Sequence, residues 1–131
     1  MGGPGRHELP AHLRAFLYSC IDSIEQLEAL SLLRDSGTAW SARAVAQEIG
    51  ITDAGARGLL ESLVARGLLS AVVREEVTYA FRPVSEALTG YCEELAEELV
   101  RSRVDVLRFV AALPPPAIRS FAKAFKLRDT E

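Results

Sequence analysis

Two short amphipathic segments that meet at a glycine constrain the fold of this chain more than any other part of its sequence. The first, residues 42–49, carries Val45 and Ala46 on its apolar side, and Gly50 follows it directly. Glycine suits the left-handed backbone conformation that ends many helices. The second segment, residues 53–66, again has apolar residues at helical spacing. The pattern predicts two short helices joined by a turn of about three to four residues.

Residues around these helices provide start signals and a hairpin. Ser41 and Thr52 precede the two helices, where a hydroxyl can accept the free backbone N–H groups of the first turn. Residues 68–73 and 77–82 are rich in β-branched, aromatic and other apolar side chains and are separated by a polar turn, so they predict two antiparallel strands. Pro83 closes the hairpin, because proline cannot donate a hydrogen bond to the ladder.

Two more helices are predicted on the N-terminal side. Residues 9–20 have apolar side chains at helical spacing. Ser23 and Gln26 have the spacing of a capping box, in which two side chains bond to the backbone at the start of a helix. Gly37 provides the end signal for that second helix.

The C-terminal part is predicted to form one long helix and one short helix. Residues 84–113 contain no proline and their apolar positions step by three and four, which predicts a continuous helix of about eight turns. Such a helix is longer than a small core can cover on one side. We therefore expect a second copy of the chain to pack against residues 84–127. After three prolines, residues 117–127 are predicted to form the short helix.

Positive charge is concentrated at this C-terminal end. The net charge is −7 for residues 1–100 and +4 for residues 101–131, which gives −3 for the whole chain. Arg119, Lys123 and Lys126 share one face of the short helix. We expect them to contact DNA phosphates or to pair with acidic residues of the long helix. The second arrangement is favoured, because blocks of opposite charge within one chain tend to meet.

Composition places the chain among compact globular proteins. It has 131 residues, of which 49% are hydrophobic and 25% charged, enough for a core without added cross-links. Cys20 and Cys92 lack the spacing of a metal site and are interpreted as reduced thiols of a cytoplasmic protein. No apolar run approaches the roughly 18 residues of a membrane span, and the N-terminus lacks the apolar region of a signal peptide.

The sequence offers no pattern for catalysis. Neither His7 nor His12 stands in a motif with a nucleophile and an acid. A glycine-rich phosphate loop and a cluster of metal-ligand residues are both missing from the sequence. We therefore predict no enzymatic activity, no catalytic or metal-binding residues and no cofactor.

Residues 40–69 resemble the winged helix-turn-helix domain of bacterial transcriptional regulators, broadly of the MarR-like kind. The resemblance implies a mainly α fold with a small β-hairpin, here with a long C-terminal helix and a short terminal helix. It also implies a DNA-binding transcriptional regulator that acts as a homodimer. The matching residues are Ser41, Val45, Ala46, Ile49, Gly50, Ile51, Thr52, Leu60, Leu63, Arg66, Gly67, Leu68 and Leu69.

The expected organisation has three parts. Residues 1–8 are a disordered lead, residues 9–83 form the winged helix-turn-helix domain with its N-terminal helices, and residues 84–131 form the long helix and the terminal basic helix. Residues 84–127 of this last part are the expected dimerisation region.

The resemblance also nominates DNA-binding residues. The helix over 53–66 would enter a major groove of double-stranded DNA, with Arg57 as the best base or phosphate contact and Ser62 as the other donor on its outer face. Arg43 and Arg74 would contact the DNA backbone. Thr52, at the start of this helix, completes the predicted set.

Charge supports an alternative to DNA binding. Residues 36–83 contain five basic and five acidic side chains, so the motif lacks the positive footprint that drives nonspecific DNA affinity. Asp53 and Glu61 are on the outer face of the second helix, and the wing tip 74–76 is net acidic. The alternative is a winged-helix module that binds a protein partner and not DNA, since this fold serves both purposes.

Overall fold

The computed structural model describes residues 8–119, and in this part of the chain helices pack around a small antiparallel sheet. The elements are α1 (Ala11–Cys20), α2 (Ile24–Ser36), β1 (Trp40–Ser41), α3 (Ala42–Ile49), α4 (Asp53–Ala65), β2 (Leu69–Val73), β3 (Val77–Phe81), α5 (Glu86–Arg101) and α6 (Arg103–Ala111). The predicted mainly α fold with a β-hairpin is confirmed. We call the β2–β3 hairpin the wing.

The helix boundaries arise from the predicted capping residues. The hydroxyls of Ser23, Ser41 and Thr52 each accept a hydrogen bond from the backbone N–H three residues later, at 3.0–3.1 Å. Gly37 and Gly50 end α2 and α3 with φ angles of 65° and 77°, in the left-handed region that glycine adopts without strain.

The sheet contains one strand that the sequence did not predict. Its order is β1-β3-β2, so β3 is central and pairs antiparallel with both neighbours. Tyr79 of β3 lies opposite Trp40 of β1 on one side and Ala71 of β2 on the other. The strand β1 has only two residues, which is too few for a recognisable alternation in the sequence.

One hydrophobic core joins the helices to the sheet. Its fully buried members come from α1, α2, α3, α4, the start of the wing and α6, and include Leu13, Leu17, Leu33, Val45, Leu60, Leu63, Leu68 and Val106. Gln26 of α2 is also buried, and its side-chain amide donates to the backbone oxygen of Leu59 at 3.1 Å. Its carbonyl oxygen accepts from the N–H of Asp22 at 2.7 Å. The orientation of α4 is thus fixed by apolar packing and by this buried amide.

The prediction of one continuous helix over 84–113 is wrong. The chain bends at Ser102, where φ is −144° and ψ is 52°, and this separates α5 from α6. The Ser102 hydroxyl donates to the Glu98 carboxylate at 2.5 Å, and Arg101 donates to the other carboxylate oxygen at 3.2 Å. Beyond the bend, Val106 and Val110 of α6 are buried in the core beside α1 and α2.

The expectation for Arg119 is also wrong. We expected an exposed side chain that contacts phosphate or the acidic residues of the long helix, but Arg119 is buried, with 6% of its surface exposed. Its guanidinium donates to the backbone oxygen of Ile21 at 2.9 Å and lies 2.8 Å from the carboxylate of Asp22. Lys123, Lys126 and most of the predicted helix 117–127 lie outside the described residues, as do residues 1–7 of the predicted lead.

Candidate nucleic-acid interface

Helix α4 has one buried and one exposed side. Ala56, Leu60 and Leu63 are fully buried, and Leu59 is half-buried. The apolar stripe therefore anchors the helix to the core, as predicted. The opposite side consists of exposed residues: Asp53, Ala54, Gly55, Arg57, Gly58 and Glu61.

A cleft of about 320 Å³ separates this exposed side from the wing. It brings together two of the predicted DNA-binding residues, Arg43 from α3 and Arg57 from α4. Both side chains are exposed. The remaining lining residues are Ser41, Ala42, Glu61, Glu76, Val77 and Tyr79.

The other three predicted residues lie apart from this cleft. Arg74 is exposed at the wing tip, where its backbone N–H donates to the oxygen of Glu76 at 3.2 Å. Ser62 is half-buried on α4. The Thr52 hydroxyl caps α4, and it accepts a hydrogen bond from the N–H of Gly55. Thr52 is therefore the N-cap residue of α4.

Glu61 of α4 and Tyr79 of the central strand line the same cleft, and no local signal in the sequence predicts this. Tyr79 is buried, with 3% of its surface exposed. Burial raises the pKa of its hydroxyl, the negative charge of Glu61 raises it further, and Arg57 opposes the shift. The phenol is therefore neutral at physiological pH. Arg57 and Glu61 are four residues apart in the sequence, whereas Tyr79 comes from a distant strand.

The side chains that line the cleft have no net charge. Arg43 and Arg57 contribute positive charge, and Glu61 and Glu76 contribute negative charge. The wing tip adds Arg74 and Glu75, both exposed. The two guanidinium groups can bind a phosphate or a guanine edge, whereas the carboxylates can accept hydrogen bonds from amino groups.

Two packed helices, the second with an exposed face beside a β-hairpin, define a winged helix-turn-helix domain, the fold of many bacterial transcriptional regulators. A family model for the IclR helix-turn-helix domain matches residues 27–72, which run from α2 to the wing. No curated protein matches the chain significantly.

Three solved structures that share the fold are DNA-binding proteins or transcriptional regulators. BpsR of Bordetella bronchiseptica, whose DNA binding is regulated by 6-hydroxynicotinic acid, is 24% identical, with 98% of this chain and 100% of that chain covered and a TM-score of 0.50. The homodimeric winged helix-turn-helix DNA-binding domain of Mb0332 from Mycobacterium bovis is 20% identical, with 75% and 92% covered and a TM-score of 0.50. A MarR family regulator from Silicibacter pomeroyi is 16% identical, with 92% and 80% covered and a TM-score of 0.50.

Other kinds of site were also sought within residues 8–119. In this range, no group of three or more His, Cys, Asp and Glu side chains is arranged to hold a metal ion. No helix there has the length and apolarity to cross a membrane.

Proposed function

We propose that this protein is a DNA-binding transcriptional regulator of the cytoplasm that acts as a homodimer and has no enzymatic activity. The observation that carries the proposal is the convergence of Arg43 and Arg57 on the cleft between α4 and the wing. The family model for a helix-turn-helix domain and the regulators that share the fold support it.

The geometry of duplex DNA explains why this cleft matters. A helix that enters the major groove lies on one side of a sugar-phosphate strand, and a wing that reaches the adjacent groove lies on the other. The strand between them would run along the cleft. Arg43 and Arg57 would then bind successive phosphates, or Arg57 would reach a base edge. Arg74 would contact the backbone from the wing tip, Ser62 would add a donor from α4, and Thr52 would keep the N-terminus of α4 in place.

The helix-turn-helix and wing of one copy have no net charge, and this favours a dimer. A single copy has few arginines for phosphate, and a second copy doubles the number of contacts without further change. Residues 84–127 are our candidate dimerisation region. Val100 and Val104, four positions apart across the bend, are 90% and 64% exposed. A groove of about 200 Å³ adjoins them, and its lining combines Leu95, Leu99 and Val100 with charged residues at Arg34, Asp35 and Arg103.

The balanced charge is also the observation that favours a second candidate function. A winged-helix module that binds a protein partner needs no positive footprint, and the exposed Glu75 and Glu76 at the wing tip would suit a basic partner surface. The two candidates make opposite predictions for binding to DNA.

The test is fluorescence anisotropy of a labelled duplex with the full chain at low salt. We expect wild-type protein to bind, and R43Q and R57Q each to weaken binding by roughly tenfold, as expected for lost phosphate or base contacts. R14Q removes the same charge from α1, outside both the cleft and residues 84–127, and is the matched control, with little effect expected. Absence of binding by the wild type at low salt would reject the regulator and favour the protein-binding module.

A further inference from the structure

An exposed stripe of side chains runs along α5 and α6. On α5 it consists of Glu93, Glu97 and Val100, and on α6 of Val104 and Arg108, and all five side chains are exposed. Their positions step by four, three, four and four residues, which keeps successive side chains on one side of a helix. We call this set the α5–α6 stripe.

The stripe stays on the outer side of both helices despite the bend at Ser102. The buried residues of the two helices follow the same helical spacing on the opposite side, and they include Cys92, Leu95, Val106 and Val110. Both helices also contact α1. Because α5 and α6 bury their apolar sides in one core, the α5–α6 stripe is open to solvent over its whole length in a single copy.

Charge along the stripe has a definite order. The N-terminal end is acidic, with Glu93 and Glu97, the middle is apolar, with Val100 and Val104, and the C-terminal end carries Arg108. Within residues 8–119, the side chains of Glu97 and Arg108 form no ion pair or hydrogen bond. The stripe therefore presents unpaired charges of opposite sign at its two ends and exposed apolar side chains between them.

The positions in the stripe are nearly symmetric about Ser102. Val100 and Val104 are each two residues from Ser102, and Glu97 and Arg108 are five and six residues from it. In a symmetric dimer the same patch of both copies meets. An antiparallel second copy, with the two-fold axis at Ser102, would place Val100 against the partner subunit's Val104 and Glu97 beside the partner subunit's Arg108. A parallel copy would instead bring like charges together, which is costly.

We infer that the α5–α6 stripe binds a second copy of this chain in antiparallel orientation, with the two-fold axis at the bend, and that Glu97 and Arg108 select this orientation. This inference rests on the proposed function, because it specifies the contact of the proposed homodimer. The two valines supply apolar burial, whereas the ion pairs determine orientation more than affinity. Two-fold symmetry also suits duplex DNA, because it presents the two α4 helices to two symmetric half-sites.

The test is the dimer dissociation constant of the full chain, measured by sedimentation equilibrium. E97R and R108E each create two like-charge contacts in the antiparallel dimer, one at each symmetry-related site, so each should weaken dimerisation by roughly tenfold or more. The double variant E97R/R108E restores opposite charges at both sites and should dimerise about as tightly as the wild type. E28R reverses an exposed charge on α2 and is the matched control, with little change expected.

Three results would contradict the inference. If neither single variant weakens the dimer, the stripe is not the contact or the copies are parallel, since a parallel dimer would only exchange one like-charge contact for another. If E97R/R108E dimerises more weakly than either single variant, the two residues do not pair across the interface. In both cases the proposed homodimer stands. A monomeric wild type would reject the homodimer as well, whereas DNA binding is a separate measurement. Circular dichroism confirms that the variants, both at exposed positions, are folded.

Discussion

The guanidinium of Arg66 lies 2.9 Å from the carboxylate of Asp22, and this ion pair connects the end of α4 to the turn between α1 and α2. The same carboxylate oxygen lies 2.8 Å from the guanidinium of Arg119. Arg66 also donates to the backbone oxygen of Cys20 at 2.7 Å. One partly buried carboxylate therefore joins α4, the N-terminal turn and the C-terminal segment.

Replacement of Asp22 by asparagine should destabilise the protein. The change removes the negative charge from two arginines, and Arg119 is 6% exposed, so its charge would be left without compensation. We expect a loss of about 2–3 kcal/mol in the free energy of unfolding, below the value for a fully buried pair because Asp22 is partly exposed. Urea denaturation provides the measurement.

Asp35 offers the matched control for this substitution. Its carboxylate pairs with Arg34 at 3.1 Å, but its side chain is 70% exposed. D35N should change stability by less than about 1 kcal/mol. Equal effects of D22N and D35N would show that the Asp22 network has no special role.

Two glycines should respond in opposite ways to alanine. Gly67, at the entrance to the wing, has φ of +81°, which alanine adopts only with strain. An added Cβ would also lie 2.7 Å from a methyl group of Val84. Because the Val84 side chain is 75% exposed and able to move, the backbone conformation dominates the cost. We expect G67A to destabilise by about 1–2 kcal/mol.

Gly90 is the comparison, because it lies within α5 and an added Cβ would meet nothing within 4 Å. G90A should stabilise the protein by up to about 1 kcal/mol through helix propensity. Both variants can be measured by urea denaturation. A stabilising G67A would show that the left-handed conformation at this position is not required.

Alkaline pH should reveal the burial of Cys92. Burial, with a smaller contribution from Cys20, raises the pKa of the Cys92 thiol from 9.0 to about 11. Between these values the thiol ionises in the unfolded chain but not in the folded one, so stability is lost as pH rises. The free energy of unfolding should fall by about 1.4 kcal/mol per pH unit across this window because of Cys92 alone.

The measurement compares the wild type with C92A from pH 8 to pH 11. C92A should be less stable overall because it leaves a cavity, but it should show a smaller slope with pH. The raised pKa of Tyr79 acts in the same direction in both proteins and does not affect the difference. Parallel curves would contradict the assignment.

Light scattering after size exclusion should give twice the mass of a single chain. If the exposed valines of α5 and α6 form the dimer contact, the double variant V100E/V104E should elute as a monomer, since burial of a charge in an apolar interface is costly. V73E is the control, because Val73 is 75% exposed but lies on the wing. A monomeric wild type at micromolar concentration would reject the homodimer.

Most of the elements that were predicted correctly have local signals in the sequence. Ser41, Gly50 and Thr52 mark helix boundaries through interactions within a few residues, so α3, α4 and the wing were predictable. The bend at Ser102 has no such signal, because neither proline nor glycine is present and the hydroxyl depends on the buried Glu98.

In the candidate site, too, some residues could be predicted from the sequence and others could not. Arg43 and Arg57 could be nominated from their positions in the helix-turn-helix pattern and its resemblance to known regulators. Glu61 and Tyr79, which line one cleft, and Asp22 and Arg119, which form an ion pair, are far apart in the chain. Only the packed structure brings the members of each pair together.

The dependence of duplex affinity on salt tests the central claim most directly. A homodimer that makes about six phosphate contacts should lose roughly a thousandfold in affinity between about 50 and 200 mM salt. R43Q should reduce the slope of log affinity against log salt by about two, because each dimer loses two contacts. Absence of binding at 50 mM, or an affinity independent of salt, would contradict the assignment of this winged helix to DNA.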